Sequence, residues 1–283
     1  MTQASTRTPI GTSVMSLLPT PAPGATWAVR LLRGKWVLPA VVLVVVIGLW
    51  ELVCRVFDIP RFVVPSPSLI WSSFAARPAD FAHHTWVTGY EALLGLLASL
   101  VIGVFLALML AQWRLLDRIM TPYLVLLQVT PTIAIAPMLT VWFGYDAMPK
   151  IVTAFLTSFF PVVIMTTVGL RSADRDVLDL FRVLAAPRRF VFWRVKIWFA
   201  LPQFLGAMKI AVPAAVIGAI IGEFISSTEG LGYVLMTAQA SLNTGVLFVA
   251  IICSSLLGIA AFAMAAAAEH VLLFWHESQM ETQ

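Results

Sequence analysis

Residues 36–57 read WVLPAVVLVVVIGLWELVCRVF. The run is rich in valine and leucine. A bilayer hydrocarbon core about 30 Å thick takes about 20 such residues as a helix. Five more runs of the same kind follow at 87–112, 123–143, 150–170, 204–225 and 246–275. The whole chain agrees with this reading. Of its 283 residues 60% are apolar and 11% charged, whereas a soluble domain carries about 25% charged residues. That balance excludes a soluble enzyme, a disordered chain and a collagen-like fibre. An outer-membrane barrel is excluded by continuity, because barrel strands alternate polarity over about ten residues. The expected fold class is all-α: a polytopic membrane protein with six transmembrane helices.

The cations set the expected direction, since cytoplasmic loops hold an excess of Lys and Arg. With the N-terminus inside, Arg7, Arg30, Arg33, Lys35, Arg114 and Arg118 fall inside, together with Arg171, Arg175, Arg182, Arg188, Arg189, Arg194 and Lys196. Only Arg55, Arg61, Arg77 and Lys150 fall outside, and Lys209 sits within the fifth run. Thirteen against four predicts that both termini are cytoplasmic. Residues 1–35 are expected to be a disordered tail, and 276–283 a second cytoplasmic tail. No small-residue cleavage pattern follows the first run, so it is expected to be a retained anchor.

Helix breakers are frequent inside the runs. Pro131 and Pro137 lie in the third, beside Thr130 and Thr132; Pro161 lies in the fourth and Pro213 in the fifth. Proline removes a donor and kinks a helix, and membrane helices tolerate this where neighbours satisfy the freed carbonyl. The prolines fit either packing kinks or helices that line a moving pathway. Gly218 and Gly222 form a G-x-x-x-G that permits close helix approach. Three acids sit near run ends, Glu51, Glu91 and Glu223, not at the centre where a proton relay places them. Glu223 is open to two readings, an interfacial helix-end carboxylate or a gate residue.

Several chemistries lack their residues. Gly34-Lys35 has neither the earlier glycine nor the following Ser or Thr of a phosphate-binding loop. His83 and His84 are adjacent in an expected outer loop, without a second cluster. Cys54 and Cys253 are far apart in apolar runs, and read as packing residues. No Ser, His and acid constellation appears, and no enzyme activity is expected.

The most specific segment is the loop 171–202. Asp176 is placed to cap a short helix, with Asp179 three residues on. Val177, Leu180, Phe181 and Leu184 then share one helical face, and Pro187 ends the helix. A second helical stretch, 188–201, mixes Phe190, Phe192, Trp193, Ile197 and Trp198 with Arg194 and Lys196, which suits the membrane interface. Pro202 is expected to mark the start of the fifth span. The apolar face of the first short helix needs a partner, either the lipid surface or a protein groove.

Here a resemblance becomes specific. Asp179-Leu-Phe-Arg-Val-Leu-Ala185, Val195-Lys-Ile197 and Ala200-Leu-Pro202 resemble the cytoplasmic loop of permease subunits of binding-protein-dependent type I ABC importers. That loop reads E-A-A, three residues, Gly, nine residues, I-x-L-P. Asp179 takes the Glu position, Leu180 and Phe181 the two alanines, and Ala185 the glycine. Val64-Pro-Ser-Pro-Ser68, Trp142-Phe-Gly144, Phe160-Pro161, Gly169-Leu-Arg171, Gly222-Glu-Phe224 and Gly230-Leu-Gly-Tyr233 are similar to the nitrate, sulfonate and taurine branch. The resemblance spans 36–275.

The resemblance implies a bacterial inner-membrane permease that pairs with a second permease copy, two ATP-binding subunits and an extracytoplasmic solute-binding protein, with no nucleic-acid partner. It implies no cofactor in this chain, since ATP and Mg belong to the ATPase. Asp176, Asp179, Leu180, Phe181, Leu184 and Ala185 would form the coupling helix that meets the ATPase. Pro131, Pro137, Pro213, Gly218, Gly222, Glu223, Gly230 and Tyr233 would serve the pathway and its gate. The solute implied is small and anionic, of the sulfonate, taurine or nitrate kind. The competing readings are an ATP-independent secondary transporter or channel, and a membrane-embedded enzyme.

Overall fold

The computed structural model describes residues 37–273; the expected tails, and the run ends at Trp36 and Trp275, lie outside them. The chain divides into two units, Met1–Asp58 and Ile59–Gln283. In the first, helix α1 (Val37–Val56) exposes Val41, Leu43, Val45 and Leu49. Valine is an indifferent helix former in water. In hydrocarbon the backbone must satisfy its own polar groups, so the same run closes as a helix.

The second unit holds α2 (Pro67–Ala76), α3 (Pro78–Gln112), α4 (Arg114–Val129), α5 (Thr132–Phe143), α6 (Met148–Arg171), α7 (Arg175–Val183), α8 (Arg189–Ser226), α9 (Leu231–Ala240) and α10 (Thr244–Leu272). Local chemistry sets several starts. Ser66 caps α2, with Pro67 in its first turn, and Asn243 caps α10 by accepting from the Val246 N–H.

α6 is the centre of this unit, with α3 on one side and α8 on the other. Small residues make the approach close. A Cβ on Gly95 would stand 2.7 Å from the Ile151 carbonyl oxygen, and one on Gly222 2.7 Å from Lys150 Cα. A Cβ on Gly218 would collide with Thr157 Oγ1. The expected close approach at Gly218 and Gly222 is therefore made within the chain, against α6. Ala92, Leu96, Ala154, Val162, Ala211, Ala215 and Ala219 fill the seam. Leu110, Leu124, Phe159, Phe160 and Val163 form a second cluster nearer the α6 C-terminus. Lys209 and Glu269, 2.5 Å apart, tie α8 to α10.

α3 and α6 run in the same direction. Glu91 meets Lys150 near one end, and the Leu110 carbonyl meets Arg171 at the other. α8 returns antiparallel, taking the chain from the Arg171 end back to Glu223.

Three features differ from the sequence expectations. The third run is two helices, α4 and α5, bent by 95°. Proline disfavours helical backbone in the residue before it, so Thr130 is extended at ψ 124° and α4 stops. Pro131 thus begins a new helix where a kink was expected. Second, the stretch 188–201 is no separate interfacial helix. It is continuous with the fifth run through a π segment, Phe192–Lys196, and Pro202 and Pro213 both lie inside the helix. Third, Lys150, counted with the outer cations, is buried on α6.

Candidate functional site

The end of the second unit that carries Gln112, Arg171 and Arg189 presents α7. Asp174, not Asp176, caps this helix: its carboxylate accepts from the Asp176 N–H at 3.0 Å. Asp176 takes the first turn instead, where a carboxylate faces the positive helix end. Asp179 pairs with Arg182 one turn on. At the C-terminus, Ala185 has φ +51°. The Ala185 N–H donates to the Arg182 carbonyl and the Ala186 N–H to the Phe181 carbonyl, both at 3.0 Å. This is a left-handed stop, the conformation that glycine adopts most readily.

The face expected at 177, 180, 181 and 184 is divided. Phe181 is half-buried and packs on Phe190, with ring centroids 6.0 Å apart. Leu180, Val183 and Leu184 are exposed, Val183 at 85%. The outward apolar surface is thus Leu180, Val183 and Leu184, and Phe181 belongs to the inner side. Arg171 fastens the root of the loop. Its Nη2 donates to the Leu110 carbonyl at 2.8 Å, and its Nη1 pairs with Asp117 at 3.0 Å. One guanidinium so joins the ends of α3, α4 and α6.

The opposite end contains a buried polar knot. Glu223 is 1% exposed. Its Oε1 accepts from Thr88 Oγ1 at 2.6 Å, and its Oε2 from the Gly232 N–H at 2.5 Å. Thr88 Oγ1 in turn accepts from the Leu231 N–H at 2.8 Å. Gly230 has φ +97°, and a Cβ there would collide with the Glu223 carboxyl, so glycine is required twice over. The Gly230 N–H donates to His84 Nδ1 at 3.1 Å, and His83 Nε2 lies 3.3 Å from Glu229. The histidines are therefore on α3, holding the turn before α9, and not in a loop. Glu91, also buried, lies 3.5 Å from Lys150 Nζ. Its Oε2 meets no donor.

The knot ties α3, α6, α8 and α9 together. Its one hydroxyl, Thr88, is fully buried and held between Glu223 and the Leu231 N–H. The knot holds Glu229 and Gly230 of the 227–230 turn through His83 and His84.

The structure thus brings Glu223 and Gly230 together, with the Tyr233 ring 6.1 Å from that of His84 and tilted to it by 49°. Pro131 stands at the α4–α5 bend, and Pro137 is exposed on α5. Pro213 lines an open cleft of about 430 Å³ between α8 and α10, with Ile217, Ile259 and Phe262. Sequence reasoning missed Thr88, Gly232 and the Glu91–Lys150 pair. A signal existed: Thr88 and Glu91 are three apart on one helical face, and Lys150 opens an apolar run.

A comparison with known families matches residues 99–271 to "Binding-protein-dependent transport system inner membrane component". A formylaminopyrimidine transport permease protein of Halalkalibacterium halodurans is 35% identical over 85% of this chain and 96% of its own length. A riboflavin transport system permease protein of Chloroflexus aurantiacus is 30% identical, over 84% of this chain and 90% of its own. A Bacillus subtilis protein named for aliphatic sulfonates transport is 27% identical, over 87% and 90%. Among solved structures, the methionine ABC transporter in inward-facing conformations superposes with a TM-score of 0.53. That match covers 65% of this chain and 94% of that one at 19% identity, a likeness of fold.

Proposed function

The chain belongs to the family of inner-membrane components of binding-protein-dependent transport systems, the permeases of type I ABC importers, and on that premise we propose how its two ends work. α7 is the coupling helix, seated in a groove of an ATP-hydrolysing partner through Leu180, Val183 and Leu184. The observation that carries this reading is the exposed apolar face of a helix capped at both ends and stapled to the span ends by Arg171. Asp176 and Asp179 rim the contact, and Ala185 ends it.

The loop is cytoplasmic in this reading, which the cation excess supports. Both tails, 1–35 and 276–283, lie on the same side, and one permease domain spans 36–275. Two copies of the permease work with two ATPase subunits and a solute-binding protein above the membrane. ATP closure draws the coupling helices together and the spans rock. The Glu223 knot then releases or secures the 227–230 turn as the outer latch. Tyr233 moves with it, while Pro131, Pro137 and Pro213 supply bends along the pathway. Gly218 and Gly222 serve it indirectly, by fixing α8 on α6.

For the solute, the branch resemblance and the sulfonate-named relative support a small anion of the sulfonate, taurine or nitrate kind. The relative at 35% identity is named for a formylaminopyrimidine, and this favours a second reading, a small nitrogen heterocycle.

The test is reconstitution with a partner ATPase and a solute-binding protein. ATP hydrolysis should rise with solute-loaded binding protein, and Leu180→Asp should abolish that rise while the permease still inserts. Transport that proceeds without any ATPase would select the secondary-transporter reading. Stimulation by sulfonates or by pyrimidines decides the solute class.

A further inference from the structure

Between α7 and the span ends lies a cavity of about 1310 Å³. Arg114, Arg189 and Lys196 line it, and none of the three makes an ion pair among the described residues. Arg171 and Arg182 also line it, already paired with Asp117 and Asp179. No acidic side chain is part of its wall. Trp113 and Trp193 stand in the same wall and are more than half exposed. We propose that this cavity is a headgroup site for an anionic phospholipid, whose phosphate is held by Arg114, Arg189 and Lys196.

Depth favours a lipid. Gln112 closes α3, Arg171 closes α6 and Arg189 opens α8, so the cavity sits where three apolar spans reach the membrane surface. Trp with Lys and Arg is the composition of that level, and basic pockets between span ends take anionic headgroups. A protein partner fits less well. The α7 residues in the wall are Leu178, Phe181 and Arg182, whereas the apolar surface open to a partner is Leu180, Val183 and Leu184. The π segment carries Trp193 and Lys196 into the wall, and π turns inside α-helices are frequent at functional sites. A phosphate here bridges the start of α4 to the start of α8, bracing the loop on which α7 rides.

The experiment is native mass spectrometry of the purified permease with phosphatidylglycerol and with phosphatidylcholine. Wild type is expected to retain phosphatidylglycerol selectively, and to lose it as salt rises. Each cation near an anionic surface contributes roughly a fivefold preference, so the triple variant Arg114→Gln, Arg189→Gln, Lys196→Gln should lose about a hundredfold. Equal retention of phosphatidylcholine, or undiminished phosphatidylglycerol on the triple variant, overturns the proposal. Displacement by millimolar inorganic phosphate assigns the site to a free anion and also overturns it. So does a triple variant that keeps the lipid but no longer co-purifies with the ATPase, which makes the cations a protein contact. If the triple variant does not fold, Lys196→Gln and the salt series on wild type carry the same decision.

Discussion

Thr88→Val keeps the shape of a fully buried side chain and removes one hydroxyl. That hydroxyl donates to Glu223 Oε1 at 2.6 Å and accepts from the Leu231 N–H at 2.8 Å. The variant leaves both groups without that partner in the interior. A buried polar group left unpaired costs about 1–3 kcal/mol. The two together amount to about 3 kcal/mol against docking of the 227–230 turn and α9. The bundle should survive, because the Ala154, Val162, Ala211 and Ala215 packing of the seam does not involve Thr88. Local opening is therefore the quantity to measure. Hydrogen exchange by mass spectrometry, on peptides covering 226–236 in nanodiscs, should quicken roughly a hundredfold, at tenfold per 1.4 kcal/mol. Thr88→Ser keeps the hydroxyl and should restore wild-type protection. Wild-type exchange in Thr88→Val, or equally fast exchange in both variants, would refute the latch geometry.

Glu223→Gln replaces one accepting oxygen with a donor that faces either the Gly232 N–H or Thr88. It should alter transport rate or basal ATP hydrolysis while solute preference is kept, as proteoliposome uptake with the cognate binding protein would show; a switched preference contradicts the latch role. Ala185→Gly relieves a left-handed alanine, worth about 1 kcal/mol, and should slow amide exchange across 182–186; faster exchange contradicts the left-handed stop. Gly218→Val pushes a Cβ into Thr157 Oγ1 and Ala154 Cα, and should lower the yield of monodisperse permease severely. Gly48→Ala, with nothing within 4 Å of the added carbon, should leave yield unchanged, and equal yields would deny the α6–α8 seam.

The apolar runs were legible because hydrocarbon imposes a length and a composition that few other environments share. The end of α7 was legible only to within a few residues: Pro187 marks it in the sequence, whereas the helix stops at Val183 and Ala185 takes the left-handed turn. Its start was misread by two residues. Asp174 and Asp176 are chemically alike, and only backbone geometry separates a cap from a first-turn carboxylate. Phe181 was assigned to the outer face because periodicity finds a stripe without saying which edge turns inward; the Phe190 ring decides that. The knot was hidden for another reason. Thr88, Glu91, Lys150 and Glu223 come from three helices, and no spacing rule joins residues 135 positions apart.

Two helices that lie side by side and point the same way need an odd number of traverses between them. α3 and α6 are such a pair, registered by Glu91 with Lys150 and by Leu110 with Arg171. The chain between them contains only α4 and α5 as helices. By parity, the elbowed pair carries the chain across the full thickness in spite of its 95° bend. Inside a bilayer a broken backbone is tolerated only against protein or a water-filled space. Thr130 Oγ1 meets the Leu126 carbonyl at 3.0 Å, a partial repair. Yet Val129 and Ile133, on either side of Pro131, are exposed in a single copy. The surface around Pro131 is thus one that lipid tails alone cannot cover.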